Sequence, residues 1–242
     1  VLVVSPDDSI ARDLSSIAEV TWVPIVELRV IQGSSKLVIN ALRDCRNVAF
    51  TSPRAVRILV EDAKNSGLLE ELLNLLRSSL IAVIGPKTGD KVREYLGRNP
   101  DYIALKHYSR DLVVELVNNY GIRCLVVPRS SEGVRDLNET AERLGVKLLD
   151  IALYKPEPLP NNIDVVRSII ISGLVDIVLL SSPMIAKLVC DSLRGFRVEG
   201  LRFIAMGETT FKSIPVTCVK SHELLVGNGS IDGVSSIIKS IC

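Results

Sequence analysis

Apolar segments and amphipathic segments alternate along the chain. Leu80–Ile84 and Cys124–Val127 are nearly continuous apolar runs, which are typical of strands buried on both faces. Ala55–Lys64 and Gly133–Leu144 instead carry apolar residues at helical spacing. Strands that alternate with helices predict βαβ units and parallel sheets. The other predicted strands are Val1–Val4, Val20–Val23, Asn47–Thr51, Tyr102–Leu105, Lys147–Leu153, Asp176–Leu180, Phe203–Met206 and Thr217–Val219.

Three segments of the chain recur later in the same order and at nearly one spacing. We infer a duplication of a half that contains five predicted strands, which gives two similar sheets of flavodoxin-like size. The matched pairs are Val1–Pro6 with Cys124–Arg129, Asn47–Pro53 with Asp176–Pro183, and Ile81–Thr88 with Ile204–Thr210.

Two extended segments, Val23–Ile31 and Leu149–Pro158, follow the second strand of each repeat and carry prolines at their ends. Residues that precede proline favour extended backbone, so both segments are predicted crossovers. Periodicity by itself does not establish that they join two domains.

The charges of the chain are nearly balanced, with 29 Lys and Arg against 28 Asp and Glu. Hydrophobic residues make up 47%, so the chain can build a core and is not expected to be disordered. A basic patch is absent from the sequence, which argues against a nucleic-acid partner. The longest apolar candidate, Ile163–Leu180, is interrupted by charged residues, and Val1–Pro6 is typical of a strand and not of a signal peptide. We therefore expect no membrane association and a cytoplasmic location.

The cysteines and histidines predict no metal site. Because the five cysteines are odd in number, widely spaced and without a Cys-x-x-Cys pair, we expect reduced, buried thiols and no disulfide framework. The only two histidines, His107 and His222, lie in no recognisable nucleophile motif. The cysteines are Cys45, Cys124, Cys190, Cys218 and Cys242.

Two glycine-containing segments are poor matches to nucleotide-binding motifs. Gly227–Gly233 has its third glycine one place late for a dinucleotide fingerprint, and Gly85–Thr88 lacks the spacing of a phosphate loop. We expect neither segment to bind a nucleotide.

A set of short motifs, in this order and with this duplication, resembles the uroporphyrinogen-III synthase family over almost the whole chain. One of them reads Ala-Leu-Tyr where Val-Tyr is commoner in the family, which is a conservative change. The motifs are Phe50–Pro53, Gly85–Thr88, Ala152–Tyr154, Ser181–Pro183 and Gly207–Thr210.

The resemblance implies an α/β fold with two flavodoxin-like parallel-sheet domains joined by a two-stranded linker. One domain is discontinuous, residues 1–27 plus 157–242, and the other is inserted, residues 33–149. The linkers fall at about 28–32 and 150–156.

The resemblance also implies an activity. Members of the family cyclise hydroxymethylbilane to uroporphyrinogen III with inversion of the terminal pyrrole ring and loss of water, in the biosynthesis of heme, siroheme and cobalamin. They use no metal or cofactor and act as monomers. A transient handover of the substrate from hydroxymethylbilane synthase is the one protein contact that we expect.

The family's substrate carries many carboxylates, which a nearly neutral chain can bind at the turns between strands and helices. The first turn of a helix has unpaired N–H groups and the positive end of the dipole. Helix capping alone also explains a Ser or Thr at such a turn, and solvation alone explains a cation there. The candidate substrate-binding residues are Ser52, Arg54, Lys87, Thr88, Arg129, Ser182, Thr209 and Thr210.

Tyr154 is the candidate catalytic residue, because the resemblance places its phenol beside the linker, facing the substrate. Loss of the terminal hydroxyl as water needs a proton donor, and a phenol can serve as a general acid. A tyrosine at a strand end also packs and makes structural hydrogen bonds, so both roles stay open.

Two other classes of protein stay open on the residues alone. Two α/β lobes can close on an anionic small molecule without turning it over, as binding proteins do. A flavodoxin-like regulatory domain would need acids at its strand ends, and Asp7-Asp8 is the only such pair. That pair is more simply explained as the start of a helix.

Overall fold

The strands and helices alternate along the chain as the apolar pattern predicts. The computed structural model describes residues 1–105, 109–133, 136–219 and 223–241. The strands are β1 (Leu2–Val4), β2 (Thr21–Trp22), β3 (Val26–Val30), β4 (Asn47–Phe50), β5 (Leu80–Val83), β6 (Tyr102–Ile103), β7 (Cys124–Ser130), β8 (Lys147–Pro158), β9 (Ile177–Leu180), β10 (Arg202–Ala205) and β11 (Glu223–Val226). The helices are α1 (Ser9–Leu14), α2 (Ser34–Asp44), α3 (Pro53–Asn65), α4 (Leu69–Arg77), α5 (Pro86–Leu96), α6 (Ser109–Tyr120), α7 (Asp136–Arg143), α8 (Pro160–Ile171), α9 (Pro183–Ser192), α10 (Glu208–Lys212), α11 (Val216–Val219) and α12 (Ile231–Ile241).

The chain divides into two units, each built around one sheet. The discontinuous unit comprises Val1–Glu27 and Glu157–Cys242, and the inserted unit comprises Leu28–Pro156. The discontinuous unit contains a five-stranded parallel sheet in the order β11-β10-β9-β1-β2. The inserted unit is built on a six-stranded sheet in the order β3-β8-β7-β4-β5-β6.

The two sheets have the same spatial order once the chain is permuted. Reading inward from β2 gives β2-β1-β9-β10-β11, and reading from β8 gives β8-β7-β4-β5-β6. The segments matched in the sequence, β1 with β7, β9 with β4 and β10 with β5, therefore occupy equivalent positions. The strand order supports the predicted duplication. The discontinuous sheet has the flavodoxin-like order in chain sequence, and the inserted sheet has the same spatial order in a permuted chain.

The strands β3 and β8 lie side by side at one edge of the six-stranded sheet. The N–H of Ile31 donates to the carbonyl of Leu153, and the N–H of Leu159 donates to the carbonyl of Ile25, both at 2.8 Å. The residue number rises from Ile25 to Ile31 on one segment while it falls from Leu159 to Leu153 on the other, so this pairing is antiparallel. The two predicted crossovers are thus extended segments that pair with each other.

Alternate residues of each strand face opposite layers of the inserted unit. Val48 and Phe50 of β4 belong to a core with residues of α2, α3, α4 and α5, whereas Ala49 belongs to a core with residues of α6 and α7. A parallel strand covered by helices on both faces requires apolar side chains at every position, which explains the continuous apolar runs. The helices of both layers place their first turns at the ends of the strands.

One predicted strand is wrong. Thr217–Val219 lies in the short helix α11, and the last strand is β11 (Glu223–Val226), which pairs in parallel with β10. A parallel crossover needs about a dozen residues or more, and a strand starting at Thr217 would leave fewer after Ala205. The β-branched residues raise local strand propensity, but the length of the connection decides.

The expectation of reduced cysteines is also wrong. Disulfides join Cys45 to Cys124 and Cys190 to Cys218, with Cα–Cα distances of 6.0 and 5.6 Å. Those distances lie in the ordinary range for a disulfide. Because the bonded cysteines are 79 and 28 residues apart in sequence, only the fold brings them together. Cys242 lies outside the described residues.

Candidate functional site

Two Ser-Pro turns have nearly the same geometry in the two units. Ser52 follows β4 and begins α3, and its Oγ accepts a hydrogen bond from the N–H of Ala55 at 3.1 Å. Ser182 follows β9 and begins α9, and its Oγ accepts from the N–H of Ile185 at 3.4 Å. Proline then occupies the first helical position, where no N–H is needed. Each serine therefore already caps its own helix.

Two glycine turns follow the neighbouring strands. Gly85 begins α5 and Gly207 begins α10, both with extended backbone and without a side-chain cap. Thr88 and Thr210, three residues further on, are buried at 2% and 5% exposure. Lys87 and Thr209, one residue earlier, are exposed. With no capping side chain, a first turn can donate backbone N–H groups to an anion. In α5 this donor set is reduced, because Pro86 has no N–H and the Thr88 N–H donates to Gly85 O at 3.1 Å.

The glycine turn and the serine turn are neighbours within each unit. β4 pairs in parallel with β5, and β9 pairs in parallel with β10, so their carboxyl ends lie at one edge of each sheet. Ligands of open α/β sheets bind at such edges. The structure thus brings Ser52 close to the Gly85–Thr88 turn and Ser182 close to the Gly207–Thr210 turn, as the sequence predicts.

The glycine-rich segment Gly227–Gly233 packs against the Gly207 turn. The N–H of Gly227 donates to Ala205 O and that of Gly229 donates to Met206 O. A Cβ on Gly227 would lie 2.6 Å from Met206 O. Asn228 and Ser230 then bond to each other at the start of α12. Close backbone packing explains these glycines without a nucleotide.

Two of the three predicted cations of the inserted unit lie in the first turns of helices. Arg54 is the second residue of α3 and is half-buried, and Lys87 is the second residue of α5 and is exposed. The helix dipole does not stabilise a cation at a helix start. Because Lys87 is also exposed, neither the dipole nor packing accounts for it.

Arg129 lies at the carboxyl end of β7 but interacts with protein groups. Its Nε donates to Asp150 Oδ1 at 2.8 Å, and its Nη2 donates to Asp150 Oδ2 and to Asn138 Oδ1 at 2.5 and 2.7 Å. The Arg129 side chain is only 8% exposed, and the backbone of Gly133 lies against it. A buried guanidinium needs such partners, so the fold alone explains Arg129. Its role in binding substrate stays a prediction.

Tyr154 lies near the end of the β7–β8 pairing, opposite Ser130 and beside a break in the register. It is 5% exposed, and its side chain belongs to the core that contains Phe50 and Leu153. The ring therefore packs in the inserted unit, and its role as general acid stays a prediction.

Sequence reasoning missed one polar group at the edge of the discontinuous sheet. Ser181, directly before the Ser182 cap, has a buried Oγ that bonds to no group within the described residues. The doubled serine before Pro183 is the signal that could have found it. Within the same described ranges, no cluster of three His, Cys, Asp or Glu residues could hold a metal ion, and no helix is long and apolar enough to cross a membrane. His107 and His222 lie outside them.

A family model described as Uroporphyrinogen-III synthase HemD matches residues 11–220. The chain belongs to the uroporphyrinogen-III synthase family. It is an enzyme of this family, a cyclising hydro-lyase of tetrapyrrole biosynthesis. The predicted family and activity are confirmed, and nothing favours the non-enzymatic binding module.

Solved uroporphyrinogen III synthases share the fold. The structure from Helicobacter pylori aligns with a TM-score of 0.65 at 16% identity, covering 100% of this chain and 99% of that chain. A mutant enzyme from Thermus thermophilus aligns with a TM-score of 0.61 at 16% identity, covering 100% and 97%. Both likenesses confirm the predicted α/β fold with parallel sheets. No curated protein matches the chain.

Proposed function

We propose that this chain cyclises hydroxymethylbilane to uroporphyrinogen III, inverting the terminal pyrrole ring and releasing water. The observation that carries this proposal is the family match over residues 11–220. The paired turns at the carboxyl edges of both sheets support it, because the substrate offers carboxylates and the turns offer N–H donors.

We assign substrate binding first to the two glycine turns. The Ser52 and Ser182 hydroxyls accept hydrogen bonds from their own helices, so they fix the neighbouring backbone. The Gly85 and Gly207 turns have no such side-chain cap, and the backbone N–H groups of Lys87 and Thr209 are the proposed donors to carboxylates. Lys87 and Thr209 add a charge and a hydroxyl at matched positions of these turns.

Thr88 and Thr210 act from beneath the turns. Both threonines are buried, at 2% and 5% exposure, so each holds its first turn against the core. A backbone site that is fixed before the substrate arrives loses little entropy on binding. Arg54 completes the proposed set as a partner for a carboxylate near the Ser52 cap.

We propose Tyr154 as the proton donor to the departing hydroxyl. Its ring is anchored among apolar residues of the inserted unit, which fixes the direction of the phenol. Ring closure itself depends on bringing the two ends of the substrate together, and orientation alone can lower a barrier by several kcal/mol. The proton donor then acts only on the leaving oxygen.

We further propose that each unit is a domain, that residues 28–32 and 150–156 link them, and that the enzyme is a cytoplasmic monomer. Its substrate would come by transient handover from hydroxymethylbilane synthase. Disulfides also occur inside the cells of hyperthermophiles, so the two disulfides do not by themselves exclude a cytoplasmic location.

The test is incubation of the purified chain with hydroxymethylbilane generated enzymatically, followed by separation of the type I and type III isomers. Spontaneous closure gives the type I isomer, so the expected result is type III in excess over a reaction without the chain. Tight binding of hydroxymethylbilane with only type I product would contradict the proposal and favour a binding module.

A further inference from the structure

We propose that the Cys190–Cys218 disulfide is a positioning device that holds the segment Glu208–Val219, and with it Thr209 and Thr210, in place for the substrate. This inference rests on the proposed function of those two threonines. The disulfide itself does not contact the reacting atoms. The other disulfide, Cys45–Cys124 of the inserted unit, serves stability alone.

The segment Glu208–Val219 contains only short helices. It consists of α10, with five residues, and α11, with four. Isolated helices shorter than about 12–15 residues are marginal in water. Local bonds such as Ser213 Oγ to Thr210 O, at 2.6 Å, tie the segment mainly to itself.

Few apolar side chains of the segment reach the core. Phe211 and Val216 are 39% and 67% exposed. Ile214 and Cys218 are buried at 8% and 6%. Among the described side chains of the segment only Thr210, Ile214 and Cys218 are buried, so the bond from Cys218 to Cys190 of α9 is a principal attachment. α9 itself starts at the Ser182 cap and is ten residues long, so the bond ties a weak segment to a regular helix.

The inserted unit holds the equivalent turn without a covalent bond. Its β5 continues into α5, an 11-residue helix that packs against α3 with Val92 fully buried. Counting from the matched Pro53 and Thr88, the positions of Cys190 and Cys218 are taken by Val60 and Leu96. Helix packing thus does in one unit what a disulfide does in the other.

The Cys45–Cys124 disulfide lies near the amino ends of the strands, opposite the carboxyl ends that lead into the turns. Cys45 follows α2, and Cys124 is the first residue of β7, whereas the turns follow the last residues of the strands. Both partners are already held, Cys45 by an 11-residue helix and Cys124 by strand pairing with Lys147. This disulfide is therefore a matched control for the first one.

The experiment compares Cys190→Ala/Cys218→Ala with Cys45→Ala/Cys124→Ala at a temperature well below the unfolding of both. We expect the first variant to raise KM for hydroxymethylbilane about five-fold, with kcat within about two-fold, since a loosened binding turn costs affinity. The second should leave KM within about two-fold of wild type. Equal KM in both variants would overturn the inference.

A second variant and a second readout protect the test from trivial outcomes. Cys190→Val/Cys218→Leu copies the pair of the inserted unit and should recover part of the lost affinity. Hydrogen exchange of the amides of residues 208–219 should accelerate about ten-fold or more in the alanine variant of this pair and not in the control. If wild type makes no type III isomer, the proposed function fails, and hydrogen exchange alone decides on the positioning role. Unchanged exchange would refute it.

Discussion

The β5–α5 connection of the inserted unit and the β10–α10–α11 connection of the discontinuous unit begin alike and continue differently. Both start with an extended glycine and bury a threonine three residues later, at 2% and 5% exposure. One then forms an 11-residue helix, and the other forms helices of five and four residues held by a disulfide. The two connections share the turn and differ in what holds it in place.

A turn at the carboxyl ends of the strands therefore depends on backbone geometry, which either a packed helix or a disulfide can hold in place. A strand pins one side of the turn in both units, by pairing with its neighbour. The other side needs only an anchor within a few residues, either side chains packed in a core or a covalent bond.

Removing the disulfides should have the largest effect on stability. The Cys45–Cys124 bond spans 79 residues and the Cys190–Cys218 bond spans 28, which in the chain-entropy account corresponds to roughly 4.5 and 3.5 kcal/mol. Calorimetry of the two alanine pairs should show a larger drop in Tm for Cys45→Ala/Cys124→Ala. The reverse order would mean that the weakly anchored segment also limits global unfolding.

Tyr154→Phe should lower kcat by about 100-fold if the phenol is the general acid. Tyr95→Phe is the control, because Tyr95 packs against the same core of the inserted unit and also loses one hydroxyl. The assay must separate type III product from spontaneous type I closure. Unchanged kcat in folded Tyr154→Phe would leave the inserted unit with a binding role and no catalytic residue among those proposed.

Gly227→Ala should destabilise the discontinuous unit by about 1–3 kcal/mol, since the new Cβ would lie 2.6 Å from Met206 O and force backbone to move. Gly89→Ala in α5 is the comparison change in the inserted unit, next to the buried Thr88 of the glycine turn. Its Cβ would meet Pro100 Cγ at an ordinary 3.5 Å, so helix propensity should stabilise it by about 0.5–1 kcal/mol. Urea unfolding measures both, and effects of the same sign would show that the two connections are packed alike.

Ser52→Ala and Ser182→Ala should each lower the free energy of unfolding by about 1 kcal/mol, because each removes a helix cap. The loss should be slightly larger for Ser52, whose Oγ lies 3.1 Å from its N–H donor against 3.4 Å for Ser182. Ser66→Ala, at an exposed helix end, is the control. Urea midpoints unchanged by both cap variants would argue that the serines bind substrate and do not cap.

Exchanging the exposed residues of the glycine turns should have the smallest effect. Lys87→Thr should raise KM about three-fold, and Thr209→Lys should lower it by a similar factor, because a cation at the turn attracts a carboxylate. Both effects should shrink as salt is added. Lys91→Thr, one turn further along α5, should leave KM unchanged, and a KM shift as large as that of Lys87→Thr would point to a general effect of charge.

Much of the site could be predicted from local sequence, and the exceptions have one cause. Ser52, Ser182, Thr88 and Thr210 lie at the strand ends where the motifs place them, because a cap and a turn are decided within about four residues. Arg129 was also placed at a strand end, but its partners Asp150 and Asn138 come from other elements. No local pattern predicts that the guanidinium is already bound.

Local sequence was enough to predict most of the strands, the duplication and the family, because buried parallel strands require continuous apolar residues and caps require Ser, Thr or Gly next to them. Tertiary structure alone decided the pairing of Cys45 with Cys124 and of Cys190 with Cys218, the antiparallel contact of β3 with β8, and the position of β11. These features join residues that are far apart in the chain or depend on the length of a connection. These contacts form only when the folded sheets bring distant residues together. No short segment of the sequence therefore encodes them.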